Sequence, residues 1–295
     1  MNHRSPILRI GAICSLVAFV TACDKLGLGN SSPTAPSAPS PGSTIVYTAV
    51  GASDVTGVGS SVPCPLADCT NGTGYVQDTV RTLRAQNFTV NILNLGLPTA
   101  VIGPDFETLG QQYNHIIVGN FILQEMPFVQ TTATVVSVFA GVNEINTITA
   151  ALGAGAGGSN PNGYIDAQVS AFATDYNTLL AGIRARAGSP RIVILNVPNA
   201  AALPYLAGAP LAQQEAAQRA AVGMTHAVNA LASSSVFVLD LMCDTRSYIA
   251  ANYYSDGLHP NDAGYTFISG LLTTAITGAS YPTPQSSCAA MTIVP

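Results

Sequence analysis

The chain is predicted to fold as an α/β protein in three layers, a five-stranded parallel sheet with helices on both faces. Two observations predict it. Five short β-rich runs alternate with longer stretches of helical spacing, and strands that alternate with helices pair in parallel under helical cover. The 295 residues are 48% apolar, enough for one sizeable domain with its own core.

The elements follow in order. Thr44–Val50 (TIVYTAV) reads as a buried strand, and Tyr75–Gln86 has helical spacing. Phe88–Leu95 (FTVNILNL) and Thr134–Phe139 (TVVSVF) are the second and third strands. Tyr164–Ala187 is a long amphipathic helix. Arg191–Val197 (RIVILNV) and Val236–Leu241 (VFVLDL) are the last two strands, separated by a helix over Leu211–Ala232. Asp262–Thr277 closes the domain as a helix, with Pro260 and Asn261 as punctuation and cap at its start. No internal repeat is present.

The N-terminus reads as an export signal. Arg4 and Arg9 form a short basic region, Ile10 to Val20 is apolar, and Val20-Thr21-Ala22-Cys23 ends the segment on small residues before a cysteine. The apolar stretch is short for a bilayer span. V-T-A-C resembles a bacterial lipobox, which implies that residues 1–22 are a signal peptide and that Cys23 is lipidated. Residues 23–43 are then a Pro/Ser-rich tether, and 44–295 the folded domain. The implied location is the periplasmic or cell-surface side of a membrane, held through a lipid anchor at Cys23.

Charged residues are only 8% of the chain, against roughly 25% in an average domain. Ten Lys+Arg face fifteen Asp+Glu, a net charge of −5 with no basic run, which argues against nucleic acid as a partner. Four cysteines remain beyond the tether: Cys64, Cys69, Cys243 and Cys288. An exported protein keeps disulfides, and of the three possible pairings Cys64–Cys69 and Cys243–Cys288 are favoured. The first would pin a loop and the second the C-terminal tail. C-x4-C has no second matched ligand pair for zinc, and no metal or cofactor is expected.

In a parallel sheet the functional residues collect at the C-terminal strand ends. That rule selects Gly51-Ala52-Ser53-Asp54 after the first strand, Asn94-Leu95-Gly96 after the second and Gly141-Val142-Asn143-Glu144 after the third. Asp256-Gly257-Leu258-His259-Pro260-Asn261 lies just before the closing helix. A serine hydroxyl needs a base to become a nucleophile. His259 can take its proton, and Asp256, three residues earlier, can orient the imidazole. The amides of Ser53 and Gly96 and the side chain of Asn143 can supply donors to an oxyanion. Asp240, at the end of the fifth strand, is the alternative orienting acid.

These segments resemble the SGNH hydrolases, or GDSL family, named for a catalytic Ser, an oxyanion Gly and Asn, and a His whose Asp lies three residues earlier. The resemblance spans about residues 44–278, and DGLHPNDAGY is its most specific part. GVNE resembles the family's G-x-N-D block, and Asn196-Val197-Pro198 with Leu203-Pro204-Tyr205 the block after the fourth strand. It implies a flavodoxin-like sheet and a serine ester hydrolase without metal or cofactor. Ala52 stands where the family usually has Asp, and Glu144 where it has a second Asp.

Two other motifs lead elsewhere. Gly153–Gly158 satisfies G-x-G-x-x-G but follows no strand, and is expected to be a loop. G-x-S-x-G fails because Val55 stands at its second glycine. Loops after Ser53, near Gly103–Glu107 and after Pro198 are expected to rim the site, with Leu203, Tyr205 and Leu206 among them. Small and apolar rim residues favour a lipid-like or short-chain acyl ester. A carbohydrate deacetylase or an acyltransferase with the same triad, and a non-catalytic binding lipoprotein, are the alternatives.

Overall fold

The structure, a computed structural model, describes residues 36–65 and 68–294. The expected signal peptide, most of the tether and Cys23 lie outside the described residues.

Five strands form one parallel sheet: β1 (Thr44–Gly51), β2 (Thr89–Asn94), β3 (Val135–Phe139), β4 (Arg191–Leu195) and β5 (Val236–Leu239). Their order is β2-β1-β3-β4-β5, every neighbouring pair parallel. β3, β4 and β5 are buried at every position, whereas edge strand β2 is fully buried only at Val90 and Asn94. A sheet covered on both faces leaves no water-facing side, so its inner strands are continuous runs of Val, Ile and Leu.

The helices are α1 (Ser53–Thr56), α2 (Tyr75–Ala85), α3 (Pro104–Gln112), α4 (Phe121–Gln124), α5 (Val142–Gly153), α6 (Pro161–Ala187), α7 (Leu211–Asn229) and α8 (Asp262–Thr277). Among the described residues none is long and apolar enough to cross a membrane. Crossovers between parallel strands are right-handed. From β1 the chain crosses to β2 on one side, and from β3 onward it moves the other way. Thus α2 lies on one face, where it packs against α8, and α5, α6 and α7 pack together on the other. The reversal falls between β1 and β3, where Gly51 pairs with Phe139. A crevice opens at such a switch point, outside the carboxyl ends of the strands.

The expected elements form, with boundaries moved by local chemistry. α6 begins at Pro161 rather than Tyr164 because Asn160 accepts the amide of Gly163 at 3.0 Å and Pro161 is preset for a first turn. Gly103–Glu107 is not a free loop. Gly103 is the cap residue of α3, with Pro104 in its first turn. The last expected tether residues lie against the domain: the carbonyl of Pro36 accepts from Arg191 Nη2 at 3.0 Å. Arg191, almost wholly buried, spends its other terminal nitrogen on carbonyls at the end of α8, where a cation offsets the helix dipole. Both favoured disulfides form, Cys64–Cys69 and Cys243–Cys288.

Candidate active site

The site is assembled where β1 and β3 end side by side. β1 runs into Gly51, Ala52 and then α1, which starts at Ser53. Gly51 has φ +150, and a Cβ there would lie 2.5 Å from Val55 and 2.6 Å from the Phe139 carbonyl. Only glycine lets the chain turn this tightly against the neighbouring strand. The Gly51 amide donates to Glu125 Oε2 at 2.8 Å, a carboxylate that burial pushes well above its usual range. The turn that carries Ser53 is thus held from behind.

The opposite wall is the loop before α8. Asp256 Oδ1 accepts the amides of Leu258 at 2.9 Å and His259 at 3.0 Å. Gly257, at φ +72, allows the sharp turn between them. Asn261 caps α8 by accepting from Ala263 and Gly264, and its own amide donates to the carbonyls of Ala251 and Tyr253. Tyr265 of α8 donates its hydroxyl to Val58 O at 2.6 Å, tying the helix to the segment after Ser53. A Cβ at Gly59 would meet Pro260 O at 2.7 Å and His259 Cβ at 2.8 Å, so this glycine lets the two segments pass.

Between these walls the ring of His259 joins two side chains. Nε2 lies 2.9 Å from Ser53 Oγ and Nδ1 lies 2.7 Å from Asp256 Oδ2. Burial pushes the Asp256 carboxyl up, but hydrogen bonds from the His259 ring and from two amides outweigh it and hold it below the usual carboxylate range. It is therefore an anion at neutral pH, which fixes the proton of the imidazole on Nδ1 and leaves Nε2 free to accept. Burial pushes Asp54, next to the serine, the other way. The rival acid is engaged elsewhere: Asp240 accepts from Asn196 Nδ2, Cys243 N and Gln285 N.

The third element is the start of α5. Gly141, at φ +128, precedes it, and a Cβ there would lie 2.5 Å from Val197. Glu144 accepts the amide of Gly141 and that of Ile102, joining α5 to the segment after β2. Burial pushes this carboxyl up to about 7. Asn143 Nδ2 donates to Ala100 O at 2.8 Å. One of its two hydrogens is so used, and the other remains for a ligand.

One expected role needs correction. The amide of Gly96 donates to Asn94 Oδ1 at 2.9 Å, so its single hydrogen is spent inside the protein. Glycine is required at 96 because a Cβ would lie 2.8 Å from Thr56 and 3.0 Å from Val55, a packing demand of α1. Three residues on, Thr99 has φ +67, a conformation rare outside glycine. Its amide donates to no described residue, and its buried hydroxyl finds no partner. Sequence reading missed it because a threonine gives no sign of a left-handed turn. Of the expected rim residues, Leu203 and Leu206 are buried and Tyr205 is exposed.

A model of the GDSL-like lipase/acylhydrolase family matches residues 113–267, more than half of the chain. The chain belongs to this family. The matched segment holds Asn143, Asp256 and His259, and Ser53 lies before it. As a GDSL-like acylhydrolase the protein is a carboxylic ester hydrolase. Solved structures share its fold at low identity. A lipase from a goat rumen metagenome has a TM-score of 0.57 at 20% identity, covering 79% of this chain and 98% of that one. The extracellular lipase of Streptomyces rimosus gives 0.52 at 15%, covering 80% and 100%. Phospholipase A1 of Streptomyces albidoflavus NA297 gives 0.51 at 17%, covering 80% and 99%. No curated protein sequence matches the chain. Among the described residues, no three His, Cys, Asp or Glu side chains converge as a metal site would require.

Proposed function

We propose that the protein hydrolyses carboxylic esters through an acyl-enzyme on Ser53. The observation that carries this reading is the unbroken relay Ser53–His259–Asp256, at 2.9 and 2.7 Å. Ser53 Oγ attacks the ester carbonyl carbon while His259 Nε2 takes its proton. The carbonyl oxygen becomes an oxyanion, facing the Ser53 amide and Asn143 Nδ2. The unengaged amide of Thr99 lies one residue from the carbonyl that holds Asn143, and it takes the role the sequence suggested for Gly96. Collapse breaks the bond to the alcohol oxygen, which leaves with the proton from His259. Water then attacks the acyl carbon as His259 takes its proton, and collapse breaks the bond to Ser53 Oγ, which takes that proton back as the acid leaves. Asp256 stabilises the imidazolium in both halves.

The test is hydrolysis of p-nitrophenyl acetate, butyrate and octanoate by the wild type beside Ser53→Ala. A fall of about 10⁵-fold or more in the variant is expected; equal rates would defeat the reading and favour a non-catalytic binding protein. Added glycerol tests for transfer to an alcohol instead of water.

For location, we propose an exported lipoprotein anchored through Cys23. The lipobox-like V-T-A-C supports this, and so does the presence of two disulfides, which persist in oxidising compartments. Metabolic labelling with a fatty-acid analogue is expected to mark the wild type and not Cys23→Ser. Equal labelling would refute the anchor.

A further inference from the structure

The nucleophile and the oxyanion donor Asn143 stand on segments far apart in the chain. Ser53 follows the turn at Gly51 and Ala52, and Asn143 is held by the run 99–102 through the Ala100 carbonyl. One short segment touches both sides: residues 119–125, which include α4.

At one end this segment pairs with the oxyanion run. The Val101 amide donates to Gly119 O at 3.1 Å, the Phe121 amide to Val101 O at 2.9 Å and the Ile122 amide to Ile102 O at 3.3 Å. At the other end Glu125 Oε2 accepts the Gly51 amide at 2.8 Å, two residues before Ser53. The span between the ends is internally tied. Asn120, wholly buried, caps α4 by accepting the Leu123 amide at 2.9 Å, and its Nδ2 donates to Glu107 Oε2 at 2.6 Å. The Asn120 amide donates to Gln124 Oε1 at 2.7 Å, and the Glu125 amide to Phe121 O at 3.1 Å.

Glu125 is an unfavourable residue for packing alone. It is 1% exposed, and its Oε1 has no partner among the described residues. A buried carboxyl with one hydrogen bond costs stability that an apolar side chain of similar size would not. The one polar group its side chain serves is the Gly51 amide. What the residue supplies is therefore an acceptor behind the serine turn. Spacing at a reacting centre matters at this level, because a misplacement of about 1 Å costs on the order of 10²-fold in rate.

We propose that residues 119–125 are a bracket that sets the distance between Ser53 and the oxyanion donor Asn143, with Glu125 as its positioning residue. Glu125 touches no reacting atom and acts through Gly51. Without its acceptor the serine turn shifts relative to Asn143, and the oxyanion no longer meets the Ser53 amide and Asn143 Nδ2 together. Those contacts belong to the transition state, so kcat and not KM carries the loss. This inference rests on the ester-hydrolase reading and adds a residue to it.

The experiment measures kcat and KM on p-nitrophenyl acetate for the wild type, Glu125→Gln and Glu125→Met, each alone and combined with Asn143→Ala. Thermal unfolding checks that every variant is folded. Glu125→Met fills similar space without an acceptor, and its kcat should fall about 10- to 100-fold with KM within about twofold. Glu125→Gln keeps an acceptor for Gly51 and should hold kcat within about threefold of the wild type. Asn143→Ala should cost about 10²–10³-fold alone and about tenfold less than that in the Glu125→Met background, because residues that act together do not add. A folded Glu125→Met with wild-type kcat, equal losses in Glu125→Met and Glu125→Gln, or the same cost of Asn143→Ala in both backgrounds would overturn the bracket. Should Glu125→Met not fold, Glu125→Asp, which withdraws the acceptor by one methylene, takes its place in the same cycle with the same criteria. Wild-type turnover no faster than that of Ser53→Ala would instead defeat the hydrolase reading, and the bracket with it.

Discussion

The catalytic centre and the groove along α5, lined by Asn146, Asn162 and Gln213, are built on opposite terms. At the centre nearly every polar group is committed: Asp256 accepts three hydrogen bonds, Asn261 makes four, and Glu144 holds two amides. In the groove three amide side chains are committed to nothing within the protein. Preorganised groups stabilise a transition state because they need no reorganisation when charge develops. Unengaged groups keep their bonds for a ligand. The contrast separates groups held in place for the chemistry from groups left open to solvent, and the two should respond differently to mutation.

The largest effect is expected at Ser53→Ala, as above. Asp256→Asn keeps the shape of the loop but removes the anion that sets the imidazole tautomer. Its kcat should fall by about 10⁴-fold with KM little changed, measured on p-nitrophenyl acetate; a loss below tenfold would mean another carboxylate orients His259. Asn143→Ala should cost about 10²–10³-fold in kcat, and a change confined to KM would remove Asn143 from the oxyanion role.

The smallest effect concerns stability. Burial and the nearby charges of Asp105 and Glu144 push Asp175 of α6, whose buried Oδ2 has no hydrogen-bond partner among the described residues, up to about 8. Its folded value lies above the unfolded one, so the native state holds more protons. This contribution to stability is complete below about pH 4 and is lost as the pH rises toward 8. Asp175→Asn should keep the shape of the side chain without the titration. Its Tm should drop less than that of the wild type between pH 5 and pH 9, by roughly 2–4 °C. Parallel pH profiles of Tm would contradict a raised Asp175.

The centre was legible in the sequence because its signals are local. D-x-x-H followed by a capping Asn describes one rigid turn, and serine and asparagine just after strands mark strand ends in any parallel sheet. The strand runs gave the sheet because buried parallel strands are continuous apolar stretches. What the sequence hid depends on distant contacts or backbone angles. Gly96 looked like a donor, yet its amide serves Asn94 and its missing side chain makes room for α1. Thr99 carries no mark of its left-handed turn. The groove joins α5 to residues some 60 positions later, and the Gly153–Gly158 stretch, dismissed as a loop, forms part of its edge through Gly153, Gly155 and Gly158.

The central claim is that Ser53 is the activated nucleophile of this relay. A fluorophosphonate reacts with such a serine and leaves a covalent adduct, readable by intact mass and peptide mapping. One adduct per chain is expected, on Ser53, lost in Ser53→Ala and strongly slowed in a His259→Ala variant that remains folded. No adduct on the folded wild type, or an adduct on another residue that survives Ser53→Ala, would contradict the account.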